Sequence, residues 1–146
     1  MNRSEKATAY FRNNFNCSQS VLTVFGPDYG VSEDSCLRLS CAFGGGMGRK
    51  QLTCGAVTGA LMVLGLRYGK AAGDPDEKKQ ETYEKTREFI SEFEKIHGSS
   101  SCHELLDRLD LNNPDDHRKI TELGFFQTRC EKFVSDAVKI VEKMVL

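Results

Sequence analysis

The chain has 146 residues, of which 39% are hydrophobic and 28% charged, with a net charge of −1. This profile suits one compact globular domain over residues 1–146 and excludes a disordered chain. Twenty Lys and Arg against 21 Asp and Glu leave no basic excess to neutralise a phosphate backbone, so nucleic acid is not an expected partner. The N-terminus lacks the apolar region of a signal peptide, and the longest apolar stretch, Cys54 to Leu66, is too short to span a membrane, so a cytoplasmic protein is expected.

Apolar residues recur mostly at three- and four-residue spacing, and no run alternates with period two, which predicts an all-α bundle of about five to seven helices. The first helix, over residues 4 to 14, places Ala7, Tyr10, Phe11 and Phe15 on one side. The pattern restarts at Asn16 with Cys17, Val21, Leu22 and Phe25, and Gly26-Pro27 ends it. Ser32 caps a third helix that runs into Gly44-Gly45-Gly46. From Thr53 to Leu66 the sequence is apolar nearly all round, which predicts a central glycine-rich helix surrounded by the others. Its Gly55/Gly59 and Ala56/Ala60 pairs, four apart, allow another backbone to come close.

Asp74-Pro75 starts a long charged helix with Tyr83, Phe89, Ile90, Phe93 and Ile96 as its inner stripe, stopped by Gly98; His97 and His117 read as surface groups. Glu81 and Lys85 make a favourable pair on its solvated face. A short helix follows Ser101, with another after Pro114. The last helix, over residues 128 to 145, carries Cys130, Val134, Val138 and Val141 on one stripe.

Six cysteines are many for a reducing compartment. Asn16, Thr53 and Ser101 are good N-caps that would put Cys17, Cys54 and Cys102 at the first helical position, and a Thr128/Glu131 capping box would put Cys130 at the second. Unpaired N–H groups and the positive helix end favour a thiolate there, so anionic, reactive sulfur is expected. The competing reading is four small core residues. Cys36 and Cys41, five apart inside a predicted helix, are expected to be core packing. The Gly44–Lys50 run lacks the phosphate-loop spacing and is expected to turn the chain, and His103 points away from its neighbour Cys102.

Cys17, the segment Cys54-Gly55-Ala56-Val57-Thr58-Gly59, Cys102 and Cys130 resemble the redox-active C_GCAxxG_C_C family, named for four cysteines around a CysGlyAla-x-x-Gly motif. Gly44-Gly45-Gly46-Met47-Gly48-Arg49 before the motif and Leu66-Arg67-Tyr68-Gly69 after it extend the likeness. The resemblance implies a redox or cofactor-binding role for Cys17, Cys54, Cys102 and Cys130, with Cys36 and Cys41 outside the pattern. Gly55 either leaves room for a cofactor beside Cys54 or serves helix packing.

Two redox chemistries stay open: an iron–sulfur cluster or other thiophilic metal held by four converging thiolates, which is preferred, and metal-free thiol–disulfide exchange. No CxxC pair is present, which argues against a thioredoxin-like site, a zinc ribbon and a bacterial ferredoxin. A third reading is a helical module that binds an oxidoreductase or transporter protein and uses its cysteines only for packing. Cys54, beside Gly55 on the central helix, is expected to be the most sensitive of the four.

Overall fold

Asn2 opens the first helix by reciprocal capping: its side chain accepts from the Glu5 N–H at 2.9 Å, and its own N–H donates to the Glu5 carboxylate at 3.2 Å. The computed structural model describes residues 1–146 and contains α-helices, short tight turns of helix and no sheet. Helix α1 is Arg3–Arg12, α2 is Cys17–Thr23, α3 is Glu33–Ser40 and α4 is Gly55–Tyr68. Helix α5 is Glu77–His97, α6 is Cys102–Leu105, α7 is Pro114–Glu122 and α8 is Glu131–Val145. There are thus eight helices where the periodicity predicts five to seven. The short helices expected after Ser101 and Pro114 both form, as the single turn α6 and the short α7 held by Ser101 and Asn113 caps, and together they carry the number past seven.

Helix α4 is central, as its all-round apolar sequence predicts. Gly55 to Ala60, Val63 and Leu64 are all buried, and α2, α5 and α8 pack around it while α1 lies across α8 and α2. Phe89 and Phe93 from α5 and Val134, Val138 and Val141 from α8 complete the main core, each fully buried. Removing such side chains from water contributes roughly 1.5–3 kcal/mol apiece. A second, smaller cluster of Cys102, Leu106, Leu111, Ile120, Phe125 and Cys130 lies beside it. Phe11 and Cys17 pack on both clusters, so the seam between them is where the cysteines meet.

Four expectations are corrected by the packing. Tyr83 and Ile96, expected on the inner stripe of the long helix, are exposed, because only the Phe89, Ile90 and Phe93 face of α5 reaches the core. Cys41 is exposed rather than in the core, because α3 ends at Ser40 and the chain turns through a tight Cys41–Phe43 turn at the surface; Cys36 is buried as expected. His97 is drawn inward between the Phe93 and Phe133 rings, with Nε2 3.0 Å from an Asp136 carboxylate oxygen but out of line for a hydrogen bond. Burial lowers its pKa against the pull of Asp136, so the ring favours its neutral form. Lys85 stands 3.9 Å from Glu88, one turn onward, rather than pairing with Glu81.

The small residues of α4 do different work at its two ends. A Cβ on Gly59 would lie 2.8 Å from the Ser18 carbonyl oxygen and 3.0 Å from Val21 Cβ, whereas one on Gly65 would meet nothing. Gly59→Ala is expected to destabilise the fold by about 1–3 kcal/mol through the clash with α2. Gly65→Ala should stabilise it by about 0.5–1 kcal/mol through helix propensity. Urea unfolding of the two variants checks the opposite signs.

Candidate functional site

The site is assembled by two helix starts lying side by side. Residues 51–54 and 100–103 run antiparallel, with Thr53 and Ser101 forming a single β-bridge. The Cys54 N–H donates to Ser100 O at 2.8 Å, the Cys102 N–H to Leu52 O at 2.7 Å and the His103 N–H to Gln51 O at 3.2 Å. These bonds satisfy amide groups that a helix start leaves without intrahelical partners. They also bring Cys54 and Cys102, 48 residues apart in the chain, into one place.

Cys17 reaches the same place through α2. Asn16 caps that helix by accepting from the Gln19 N–H at 3.0 Å, the Gln19 side-chain oxygen returns to the Asn16 N–H at 2.9 Å, and Asn16 Nδ2 donates to Cys41 O at 2.9 Å. Cys130 arrives from the far end of the chain, on a π turn over Phe126–Cys130 that runs directly into α8. All four sulfur-bearing residues, with Cys41 and Gly55, line one cavity of about 880 Å³.

The glycine run forms part of its wall. Gly45, Gly46, Met47, Gly48 and Arg49 are five successive residues with positive φ, between 59° and 71°. The expectation of a chain turn is met by a left-handed coil that costs Met47 and Arg49 roughly 1–2 kcal/mol each. Gly46 is held where a Cβ would lie 2.7 Å from Gln51 Cα and Leu52 N and 2.8 Å from Cys102 Cβ. Only a residue without a side chain lets the coil press against the paired segment.

The capping expectations are met in part. Cys17 and Cys102 stand at first helical positions, under Asn16 and Ser101. Cys54 is itself the cap residue of α4 rather than the residue after it. Cys130 directly precedes Glu131 of α8, but the π turn over Phe126–Cys130 runs straight into it and Thr128 donates its hydroxyl to Gly124 O at 2.9 Å instead of capping, so the helical path begins earlier than expected. Gly55 lies against α2, where its Cβ would come within 3.1 Å of Cys17 Cβ, so its smallness serves packing as well as the cavity.

The expectation of generally anionic sulfur is overturned by burial. Desolvation pushes the Cys54 thiol up to about 12, against the Ala56 and Val57 N–H groups that favour its thiolate. Cys102 is also pushed up to about 12, by burial first and then by Cys54 and Cys130, with Gln51 opposing. The Cys17 thiol, hydrogen-bonded to Cys130 and desolvated, rises well above the ordinary thiol value. Cys130 alone is lowered, by that hydrogen bond first and by the nearby Arg129 guanidinium. Cys17 therefore favours its thiol form, and Cys130 is the sulfur that most readily bears charge.

Two contributors have no signal in the sequence. Gln51, buried and at φ 55°, donates Nε2 to Leu109 O at 2.8 Å and accepts the Leu111 N–H at 2.7 Å, which ties the loop after α6 to Cys102. Arg129 lies over the Phe125 ring and pairs with Asp107 at 2.8 Å, which fixes its charge beside Cys130. No three His, Cys, Asp or Glu side chains are arranged to share one metal ion, and all six cysteines are free thiols. No helix is long and apolar enough to cross a membrane.

A family model described as "Putative redox-active protein (C_GCAxxG_C_C)" matches residues 15–144, nearly the whole chain and all four of these cysteines. No curated protein matches the sequence. No solved structure matches it.

The thiols should separate by pH. Alkylation of Cys130 is expected to level off below the pH at which an ordinary thiol does, while Cys54 and Cys102 are still accelerating at about pH 10. Peptide-resolved alkylation rates across a pH series measure this. Equal midpoints at the three sites would contradict the electrostatic ordering.

Proposed function

The chain belongs to the C_GCAxxG_C_C family of redox-active proteins, and we propose that its redox centre is a two-electron dithiol formed by Cys17 and Cys130. The observation that carries this reading is their placement: Cys17 packs on the small apolar cluster that contains Cys130, both line the one cavity, and there they displace each other's thiol in opposite directions, Cys17 up and Cys130 down. Such a pair is poised for exchange: one sulfur supplies a thiolate, and the neighbouring thiol closes the bond. On oxidation the two sulfurs lose two electrons and two protons together and form one disulfide. Cys54 and Cys102, aligned by the paired segments, are the second dithiol of the same cavity, harder to oxidise because both are held protonated.

The second reading keeps the same four residues, Cys17, Cys54, Cys102 and Cys130, as ligands of an iron–sulfur cluster or thiophilic metal. It is favoured by the Ala56 and Val57 N–H groups directed at Cys54, the kind of donor that offsets charge on a ligating sulfur. The sulfurs as placed do not fit a single ion.

Anaerobically purified protein separates the readings. The dithiol reading expects no visible absorbance, no stoichiometric iron, zinc or sulfide, and two fewer titratable thiols after mild oxidation, with Cys17 and Cys130 joined. Cys54→Ser should then still form that disulfide but lose any second one. A Cys54→Ser protein that loses bound metal and colour present in the wild type would establish the ligand reading instead. If oxidation consumes no thiols in metal-free wild type, neither dithiol exists.

A further inference from the structure

The cavity holds a fifth cysteine that the four-cysteine pattern does not include. Cys41 is exposed at its rim, Cys17 is half-buried with its sulfur turned inward, and Cys130 is buried, so the three thiols descend from solvent to interior. Cys41 and Cys17 are tied to one another through the chain between them: Asn16, next to Cys17 and cap of its helix, holds the Cys41 carbonyl at 2.9 Å. Cys36, by contrast, is buried on another side of α3, its sulfur 3.6 Å from Val31 O, and lines no part of this cavity. A bulky oxidant in solution meets Cys41 before it meets any other sulfur of the site.

The cavity also specifies what can react there. At about 880 Å³ it is far larger than two sulfurs need and falls within the roughly 300–1,000 Å³ of pockets that enclose small organic ligands. Phe11, Phe15 and Phe126 supply apolar wall. Two guanidinium groups lie on it: Arg12 is already paired with Glu131, while Arg49, held exposed by the left-handed coil, makes no ion pair within the chain. An unpaired guanidinium on a pocket wall matches a carboxylate on the ligand.

We propose that Cys41 is the entry thiol of this centre and exchanges with a low-molecular-weight disulfide that carries a carboxylate, received by Arg49. The proposal rests on the dithiol reading of Cys17 and Cys130. The Cys41 thiolate attacks one sulfur of the disulfide RSSR, forming Cys41–S–S–R and releasing one RS⁻, which takes up the Cys41 proton. Cys17, giving up its proton to the departing sulfur, then attacks the Cys41 sulfur, forming a Cys41–Cys17 disulfide and releasing the second RSH. Cys130 attacks the Cys17 sulfur, returning Cys41 to the thiol and leaving Cys17–Cys130 oxidised. The sum is RSSR plus two protein thiols giving two RSH plus one protein disulfide; the substrate gains the two electrons and two protons that the pair loses. The second step requires the Cys41–Phe43 turn to move toward Cys17.

The test follows formation of the Cys17–Cys130 disulfide by acid quench and peptide mapping, with glutathione disulfide as the bulky oxidant and hydrogen peroxide as the water-sized one. Peroxide reaches the inner pair directly, giving the same disulfide and two waters. Cys41→Ser should slow the glutathione disulfide reaction at least tenfold and leave the peroxide reaction near the wild-type rate. Cys17→Ser, which removes the second attacker, should accumulate one glutathione adduct on Cys41. Arg49→Gln should raise the glutathione disulfide concentration needed for half-maximal rate several-fold, with no such change for cystamine, which has no carboxylate. Wild-type protein with Cys41 blocked by limiting maleimide repeats the first comparison without a mutation. Equal glutathione disulfide rates with and without Cys41, or a Cys17→Ser adduct located elsewhere, overturn the entry role alone. Absence of any Cys17–Cys130 disulfide with both oxidants in wild type overturns the dithiol reading and the entry role with it.

Discussion

The pairing of residues 51–54 with residues 100–103 is the constraint on which the rest of the site depends. A helix start carries amide groups that cannot bond within their own helix, and a buried start must find acceptors elsewhere. Here the starts of α4 and α6 use each other's flanking backbone, so Cys54 and Cys102 come together as a by-product of satisfying their own N–H groups. The approach is close enough that Gly46 has to lack a Cβ, and the left-handed coil that forms the cavity wall runs through this residue. Gln51 completes the arrangement by bonding the chain beyond α6 back to the same strand-like segment.

Charge at the site is decided by magnitude. A helix end favours an anion by about 0.3–1 kcal/mol, rising to ~2 kcal/mol in favourable partly buried positions. Raising a thiol from its ordinary 9.0 to about 12, as burial does at Cys54, corresponds to roughly 4 kcal/mol against the thiolate. Desolvation therefore wins at Cys54 and Cys102 although both sit at helix starts. At Cys130, where the π turn runs straight into α8, a hydrogen bond and a guanidinium make the thiolate easier to form. Contact with particular neighbours, more than position along a helix, separates the four sulfurs.

The helical class and the central place of α4 were legible because both rest on periodicity, a property of consecutive residues. So were Asn16, Ser32 and Ser101 as caps, since a cap acts over three residues. The convergence of Cys17, Cys54, Cys102 and Cys130 on one cavity followed from the resemblance of motifs; their roles could not be read from spacing. What escaped was non-local or depended on burial. Thr53 and Ser101 have nothing in their own neighbourhoods to announce a bridge between them. Thr128 has a good capping sequence but sits inside a turn that Phe125 has already started, and Cys41 looked helical because the end of α3 is not marked by a proline or glycine. His97, at the end of a charged helix, turns inward because Phe93 and Phe133 offer it a pocket.

The chain separation of the thiols bears on when the site comes into being. Cys17 and Cys130 are 113 residues apart, and the last of the four enters only with the turn that leads into α8. A site of this kind has high contact order: closing so long a loop carries an entropy cost that is recovered only when α8 buries its apolar stripe against α1 and α4. During synthesis, the chain up to α7 can settle its helices and even pair the starts of α4 and α6, yet it has no partner for the Cys17 sulfur. The completed cavity thus coincides with completed folding, and a chain truncated before Cys130 retains three of the thiols without the contact that distinguishes them.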